Sequence, residues 1–246
     1  MLILLPPSES KHARTRGKPT DLNSLSHPEL TGPRREVAAA LAGVSARPDA
    51  AKVLGVGAAV AEEIERNTRL ASAPAVPVSQ LYTGVLYDAL DLAGMDTAAR
   101  RRASRAVLVS SALYGVLRLP DRVAPYRLSM GVTVPGVGAL AGFWRPHLAE
   151  ALSHVTGLVV DCRSGSYAAA WKPPATAQWV QVRVPGASHW AKHTRGLVAG
   201  ALCRLPATPS TPDQLADALA GQFAVLLHPP TRPSQPWVLD VTPPTT

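Results

Sequence analysis

Apolar residues follow two different spacings along the 246-residue chain, one typical of strands and one typical of helices. Residues 1–5 form a short, wholly apolar run that ends at Pro6 and Pro7, as in a strand buried on both faces. Further strands are predicted from similar runs or from strict alternation at 106–109, 157–161, 178–184, 223–227 and 237–241.

Segments with helical spacing separate these strands. Asp96, Ser188 and Thr211 are suitable helix N-caps, and Thr211 begins a Thr-Pro-Asp-Gln capping box. Residues 8–33 and 110–142 are predicted to be mostly loop. Helices are predicted at 33–44, 57–71, 81–92, from 96–97 onward, from Arg145-Pro146 onward, and at 164–171, 188–204 and from 211 onward.

This alternation of helix and strand predicts an α/β fold, mixed α+β in detail, with a central mixed sheet, surrounding helices and a cleft. Because no Pro- or Gly-rich linker divides the chain, we expect one compact domain over residues 1–246, with 242–246 as a loose tail.

Composition narrows the class of protein. A hydrophobic content of 46% is enough for a substantial core, but the apolar runs fall short of the roughly 20 residues of a membrane-spanning helix. The opening run has no basic segment before it, so we expect no signal peptide, and a cytoplasmic monomer. Two cysteines do not make a disulfide framework; we expect reduced thiols, although one bond between Cys162 and Cys203 is compatible with the sequence.

The charge balance is strongly basic. The chain has 25 basic and 17 acidic residues, a formal net charge of +8. Only Lys11, Lys18, Lys52, Lys172 and Lys192 are lysine, so most of the positive charge is arginine. This balance favours polyanionic partners such as nucleic acid or phosphate groups. An arginine-rich solvated surface explains the same charge equally well.

The loop after the first predicted strand is the first candidate site. Ser8-Glu9-Ser10-Lys11 has the serine-x-x-lysine spacing of some acyl-transfer enzymes, but their accompanying motifs are absent. A phosphate- or substrate-binding loop at the carboxyl end of a strand fits this segment better.

A second candidate site spans 110–118 and 125–131. These segments combine hydroxyl, phenol and guanidinium groups with glycines that would let the backbone approach a ligand. A surface loop tied down by its tyrosines and arginines is the alternative. The polar residues of interest are Ser111, Tyr114, Arg118, Tyr126 and Arg127.

A third candidate lies on the predicted helix 188–204. Lys192 and Arg195 share a face with the small residues Gly196 and Ala199, which would let a phosphate come near, although a solvated face is the ordinary alternative.

Nothing in the sequence indicates a metal or a cofactor. His189 and His193 are four residues apart, as in some metal sites, but no third ligand is evident. The glycines around Val56 do not form a dinucleotide fingerprint. We therefore expect neither a metal nor a cofactor.

Seven separated blocks, taken together, resemble the YaaA family of bacterial peroxide stress proteins in the same order. They are residues 1–11, Tyr82-Thr83-Gly84, residues 113–118 and 125–128, Phe143-Trp144, and residues 164–167 and 192–196. The resemblance implies a compact mixed α/β fold with a positively charged cleft and a helix-hairpin-helix-like element. It also implies affinity for double-stranded DNA and a role in limiting iron-driven damage during peroxide stress.

The resemblance also suggests which residues form the site. The matching positions are Lys11, Tyr82, Tyr114, Arg118, Tyr126, Arg127, Lys192 and Arg195. The matched blocks also contain Ser8, Ser164 and Tyr167, and the candidate segment 110–118 adds Ser111. Two features depart from the family pattern: Asp161 stands where asparagine is expected, and the C-terminal end is short and rich in proline and threonine.

Two functions follow as hypotheses. In the first, the cleft binds the phosphates of double-stranded DNA with little reading of bases. In the second, the chain is an enzyme acting on a nucleotide or another phosphorylated small molecule, with arginines 118, 127 and 195 clamping the phosphate. The candidates for proton transfer are then Lys11, Tyr114, Tyr126 and Lys192.

Overall fold

The computed structural model describes residues 1–186, 190–232 and 234–243. Within these residues, a seven-stranded sheet forms the centre, and two short strand pairs lie outside it. The strands are β1 (Leu2–Leu5), β2 (Val76–Pro77), β3 (Val107–Ser111), β4 (Gly115–Arg118), β5 (Arg122–Val123), β6 (Thr133–Val134), β7 (Gly138–Ala139), β8 (Gly157–Asp161), β9 (Ala177–Arg183), β10 (Ala224–His228) and β11 (Trp237–Thr242).

The central sheet has the order β10-β11-β9-β8-β1-β3-β4. Strands β11, β9, β8, β1 and β3 are parallel, and the edge strands β10 and β4 are antiparallel to their neighbours. Leu4 of β1 lies in register between Leu108 and Asp161. Ile3, Leu4 and Leu5 are at most 1% exposed, as the unbroken apolar run predicts for a strand covered on both faces.

Helices surround this sheet, which confirms the mixed α/β fold of one compact domain. They are α1 (Thr31–Ser45), α2 (Ala50–Val53), α3 (Ala61–Asn67), α4 (Val78–Leu81), α5 (Val85–Leu90), α6 (Thr97–Ala106), α7 (Leu140–Ala151), α8 (Gly165–Ala168), α9 (Trp190–Arg204) and α10 (Pro212–Ala220). Within the described residues, none of them is long and apolar enough to cross a membrane.

Two of the predicted helix caps are present. Asp96 accepts the Ala99 N–H at 2.7 Å, and Thr211 accepts the Gln214 N–H at 3.2 Å. The reciprocal half of the predicted capping box differs, because the Gln214 side chain accepts from Ser210, one residue before the cap. Ser188, the third predicted cap, lies outside the described residues.

Helix α7 begins at Leu140, so the prediction that it starts at Arg145-Pro146 is wrong. Pro146 lies inside the helix, where it cannot donate the usual backbone hydrogen bond. Packing accounts for the longer helix, since Leu140 and Trp144 are fully buried and the Trp144 indole donates to the Ala112 carbonyl at 2.8 Å. Tertiary contacts of the first turn outweigh the preference of proline for a helix start.

The single helix predicted at 81–92 is also wrong, because the chain is extended at Tyr82 and divides into α4 and α5. Gly84, at φ +94°, begins α5 in a conformation that glycine tolerates best. The break exists because this segment pairs with the loop after β1: the His12 N–H donates to the Leu81 carbonyl at 2.7 Å, and the Thr83 N–H to the Ser10 carbonyl at 3.3 Å.

The helix predicted at 57–71 is shorter in the structure, where α3 ends at Asn67. Asn67 is fully buried, and its amide donates to the Arg127 carbonyl at 2.9 Å. This contact with a distant segment ends the helix and ties α3 to the loop that carries Arg127.

Cys162 and Cys203 are free thiols buried in the interior, as expected. Burial raises the pKa of Cys162 to about 12 and that of Cys203 to about 11. Both thiols are therefore protonated at neutral pH, which makes them poor nucleophiles.

Candidate functional site

The loop after β1 crosses the carboxyl edge of the parallel strands. β3 and β8 flank β1, so the segments that follow all three strands meet at this edge. In open α/β sheets, ligands bind in the crevice outside the carboxyl ends of the strands. The fold thus brings Ser8, Lys11 and Ser164 to the position where a ligand site is expected.

A cavity of about 590 Å³ lies at this edge. Seven of the residues predicted from the sequence line it, from four separate segments: Ser8, Lys11, Arg127, Ser164, Tyr167, Lys192 and Arg195. The volume is within the range of about 300–1,000 Å³ found for small-molecule sites.

The charges around the cavity are unequal. Four cationic side chains line it, Lys11, Arg127, Lys192 and Arg195, against the one carboxylate of Glu9. Lys192 and Arg195 lie near the start of α9, whose first turn has no acidic residue. The partial positive charge of a helix N-terminus adds to that of these two side chains.

The Arg195 guanidinium contains a buried N–H group without a partner in the described part of the chain. This group is the Nε, which has no hydrogen-bond acceptor among the described residues. A buried donor without an acceptor carries a free-energy cost of about 1–3 kcal/mol.

Arg127 is held in place from three sides. Its backbone N–H donates to Asn67 at 2.9 Å, and its guanidinium contacts Glu63 at 3.1 Å and Glu9 at 3.2 Å. The side chain is only 17% exposed. Asn67 was missed by the sequence reasoning, because a single asparagine on a helix carries no signal of a distant partner.

Lys11 lies at the boundary between the cavity and a small side chamber of about 30 Å³. Its Nζ donates to the carbonyls of Ser8 at 2.8 Å and Glu9 at 3.3 Å. Burial, followed by the nearby Arg127 charge, lowers the pKa of Lys11 to about 7. The side chamber is lined by Glu9, Lys11, Glu63, Arg66, Pro125 and Tyr126.

Buried hydroxyl groups form a layer below Lys11. The Lys11 Nζ is 4.5 Å from the centre of the Tyr126 ring. The Tyr126 hydroxyl is 3.2 Å from that of Tyr82 and 2.7 Å from that of Ser111. Burial raises the pKa of both tyrosines well above the ordinary value, so they remain neutral phenols at neutral pH. Tyr82 and Ser111 support the lysine from below and line neither the cavity nor the side chamber.

Tyr114 and Arg118 lie farther from the cavity and line neither space. Tyr114 is buried and packs edge-on against Tyr126, with ring centres 5.5 Å apart. The Arg118 guanidinium donates to the Arg105 carbonyl at 2.9 Å. The expectation that both residues meet Lys11 in one cleft is therefore not met.

Two glycines have a different role from the one that the sequence suggested. A Cβ on Gly115 would lie 2.9 Å from the Trp144 ring, and one on Gly196 would lie 2.2 Å from the Leu86 carbonyl oxygen. Gly115 therefore makes room for Trp144, and Gly196 lets α9 approach α5. Neither glycine opens the backbone to a ligand.

Arg163 is a second residue that the sequence reasoning missed. It forms a buried ion pair with Asp161 at 2.8 Å, and both side chains are at most 1% exposed. Its guanidinium also donates to the carbonyls of Tyr167 at 3.3 Å and Trp171 at 2.8 Å. Arg163 thereby fixes α8, which carries Ser166 and Tyr167 to the cavity.

The cavity lining also contains apolar side chains. Ser10, Ser129 and the other serines supply hydroxyls, while the apolar residues of the lining are Pro6, Pro7, Leu54, Val56, Val85, Leu86 and Leu128. The lining therefore suits a ligand with both an anionic part and an apolar or planar part.

The described residues contain no group of three or more His, Cys, Asp or Glu side chains that could hold a metal ion. His189, half of the histidine pair considered from the sequence, lies outside those residues.

Comparison with known proteins identifies the family. A family profile described as "Peroxide stress protein YaaA" matches residues 1–226. A UPF0246 protein of Streptomyces coelicolor is 44% identical over 98% of each chain, and one of Corynebacterium efficiens is 38% identical over 90% of this chain and 92% of its own. A UPF0246 protein of a Ruegeria species is 31% identical over 71% of each chain. This chain therefore belongs to the YaaA family of peroxide stress proteins.

Proposed function

We propose that this YaaA-family protein binds a phosphate-bearing small molecule, such as a nucleotide, in the cavity at the carboxyl edge of its sheet. The observation that carries the proposal is the cavity lining, in which the charged groups of Arg127, Lys192 and Arg195 and the Lys11 amine face the one carboxylate of Glu9. A phosphate satisfies such donors with charge-assisted hydrogen bonds.

The size and chemistry of the cavity support a small ligand over a duplex. A volume of about 590 Å³ matches a drug-sized or nucleotide-sized molecule. The apolar lining residues could contact a base or another planar group of such a molecule, whereas contacts to a DNA backbone alone require no apolar lining.

We place this activity in the cytoplasm, in a monomer that contributes to the peroxide stress response by limiting iron-driven damage. The family description supports the stress role, and two free thiols fit a reducing compartment.

The test is ligand-induced thermal stabilisation with inorganic phosphate, adenosine monophosphate and adenosine. We expect both phosphate compounds to raise the Tm of the wild type, and adenosine to raise it less. Arg195→Met should weaken the binding of phosphate and adenosine monophosphate about ten- to hundredfold. This is the loss expected from removing a charged hydrogen bond worth about 1.5–3 kcal/mol.

Arg101→Met is the matched control, because Arg101 is an exposed cation of α6 outside the cavity lining. This variant should keep the wild-type response. If phosphate and adenosine monophosphate protect Arg195→Met as well as the wild type, the cavity is not the binding site and the proposal fails.

Binding of double-stranded DNA is the second candidate function. The net charge of +8 and the exposed Arg100, Arg101 and Arg105 on α6 favour it. Arg102 donates to the Cys203 carbonyl at 3.0 Å, which places α6 at the C-terminal end of α9. At ~1.5 Å per residue, this end is about 17 Å from Lys192, so a duplex would have to contact both positive regions.

A further inference from the structure

Lys11 lines both the cavity and the side chamber. A ligand bound in the cavity can therefore reach its side chain, and a small molecule such as water can reach it from the side chamber. The loop that carries it is held by the antiparallel bridge between Lys11 and Tyr82. The amine is thus accessible to a ligand while its backbone is fixed.

The carboxylates near Lys11 are bound to a different cation. Glu9 and Glu63 both contact the Arg127 guanidinium, at 3.2 and 3.1 Å. Among the described residues, Lys11 forms no ion pair. Arg127 therefore takes the negative charge that would otherwise stabilise a Lys11 ammonium, and adds a positive charge beside it.

The hydrogen bonds of Lys11 fit a neutral amine. A neutral amine has two N–H donors and one lone pair, and the described residues offer two acceptors, the carbonyls of Ser8 and Glu9. With both N–H groups engaged, the lone pair is left for a proton or for an electrophilic carbon. An ammonium would have a third N–H that meets no acceptor in the described part of the chain.

The groups around the Lys11 amine shift its pKa in opposite directions. The face of Tyr126 attracts an ammonium, and the carboxylates of Glu63 and Glu9 raise the pKa of Lys11. Burial and the Arg127 charge outweigh them, so that the pKa falls to about 7. Burial next to a second cation is a known way of activating a lysine as a nucleophile.

We propose that Lys11 is a nucleophile that forms an imine with an aldehyde or ketone group of a phosphate-bearing ligand, whose anionic part lies against Lys192 and Arg195. The Lys11 lone pair adds to the carbonyl carbon, the two N–H protons of the amine pass to the carbonyl oxygen, and that oxygen leaves as water. A C=N bond replaces the C=O bond without any oxidant or reductant. This inference rests on the proposed function, because the phosphate site positions the carbonyl.

Pyridoxal 5′-phosphate is a suitable probe, since it combines an aldehyde with a phosphate. The purified full chain is incubated with the probe, any imine is reduced with borohydride, and the modified lysine is located by peptide mass spectrometry. We expect the adduct on Lys11, with a labelling rate that is half-maximal near pH 7. An ordinary lysine, with a pKa of about 10.4, has on the order of a thousandfold less neutral amine at that pH and should label more slowly.

Three comparisons make the result specific. Lys11→Arg keeps a cation but should lose the adduct. Pyridoxal, which lacks the phosphate, should label Lys11 at least tenfold less than pyridoxal 5′-phosphate at equal concentration. Arg195→Met should abolish the preference for pyridoxal 5′-phosphate over pyridoxal, while Arg101→Met should leave this preference unchanged.

The outcomes separate this inference from the proposed function. If pyridoxal 5′-phosphate competes with adenosine monophosphate for the cavity but leaves Lys11 unmodified, the nucleophile is refuted and the phosphate site stands. If neither compound binds, both proposals fail. Labelling that spreads over the exposed Lys18, Lys52 and Lys172 at the rate of Lys11 would also overturn the inference.

Discussion

Asp161 and Arg163 show how a buried ion pair can organise a site that it does not touch. Besides Arg163, the Asp161 carboxylate accepts the Trp179 indole N–H at 3.1 Å. The charge of Arg163 accounts for a carboxylate at position 161. In a dry interior, removing one partner leaves an uncompensated charge.

Asp161→Asn should therefore lower the free energy of unfolding by about 3–5 kcal/mol, measured by urea denaturation. Glu65→Gln is the control, because Glu65 and its partner Arg69 have side chains that are 68% and 64% exposed, and the loss of this pair should cost about 1 kcal/mol or less. Similar losses in the two variants would show that the buried pair has no special role.

The stability of the protein should depend on pH through Lys11. The folded pKa of about 7 lies below the unfolded value of about 10.4, so the unfolded chain holds more protons between these limits. The destabilisation by Lys11 is complete below pH 7 and is relieved as the pH rises toward 10.

The Tm difference between Lys11→Met and the wild type should accordingly be most positive at pH 6 and should shrink by pH 10. Scanning calorimetry at several pH values measures it. Lys172→Met, at an exposed position, provides the control and should show a flat difference. A Lys11→Met difference that is equally flat would mean that the amine titrates as an ordinary lysine.

At the scale of secondary-structure elements, the contact between α5 and α9 shapes the cavity. Gly196 and Gly200 allow the close approach: a Cβ on either would lie within 3 Å of the α5 carbonyl oxygens of Leu86 and Leu90. The first turn of α5, with Val85 and Leu86, lines the cavity together with Lys192 and Arg195 of α9. The packing of these two helices against each other therefore helps to shape the site.

Gly196→Ala should lower the free energy of unfolding by about 1–3 kcal/mol, because the new methyl group meets backbone that cannot rotate away. It should also weaken phosphate binding by moving α5. Gly43→Ala, at an exposed position of α1 with nothing near the added methyl group, should instead stabilise by about 0.5–1 kcal/mol. Chemical denaturation measures the free energy of unfolding of both variants. A Gly196→Ala variant that is more stable than the wild type would contradict the close contact between α5 and α9.

Over the whole molecule, two of the positively charged regions bear on the candidate functions: the cavity and the exposed face of α6. A ligand that fills the cavity depends on the first region only, whereas a duplex that follows the surface depends on both. The same purified variants can therefore distinguish the two candidate functions.

If the chain binds double-stranded DNA, the logarithm of the affinity should fall linearly with the logarithm of the salt concentration. The Arg100→Ala/Arg101→Ala variant should weaken binding to all sequences and reduce the slope by about 1 for each phosphate that it no longer neutralises. Arg47→Ala/Arg69→Ala removes equal charge from exposed ion pairs and is the control. Fluorescence anisotropy on a labelled duplex gives the slopes, and equal slopes for the two double variants would contradict binding of DNA at α6.

Much of the fold was predictable, because strands and caps depend on local pattern. The all-apolar β1, the strand Gly157–Asp161 and the caps at Asp96 and Thr211 follow from residues within a few positions of each other. The helix predictions at Tyr82 and Pro146 are wrong because long-range contacts override local propensity. At Tyr82 the chain pairs with a distant backbone segment, and near Pro146 the buried Trp144 extends the helix.

Sequence alone predicted seven of the residues that line the cavity, because hydroxyl and cationic side chains in loops and helices can be recognised from local pattern. Tertiary structure alone decided that Tyr114 and Arg118 lie outside the cavity, that Gly115 and Gly196 serve packing, and that Arg127 neutralises the carboxylates beside Lys11. This is because burial, ion pairing and close approach depend on residues that are far apart in the chain. The local sequence pattern gives no information about such long-range contacts.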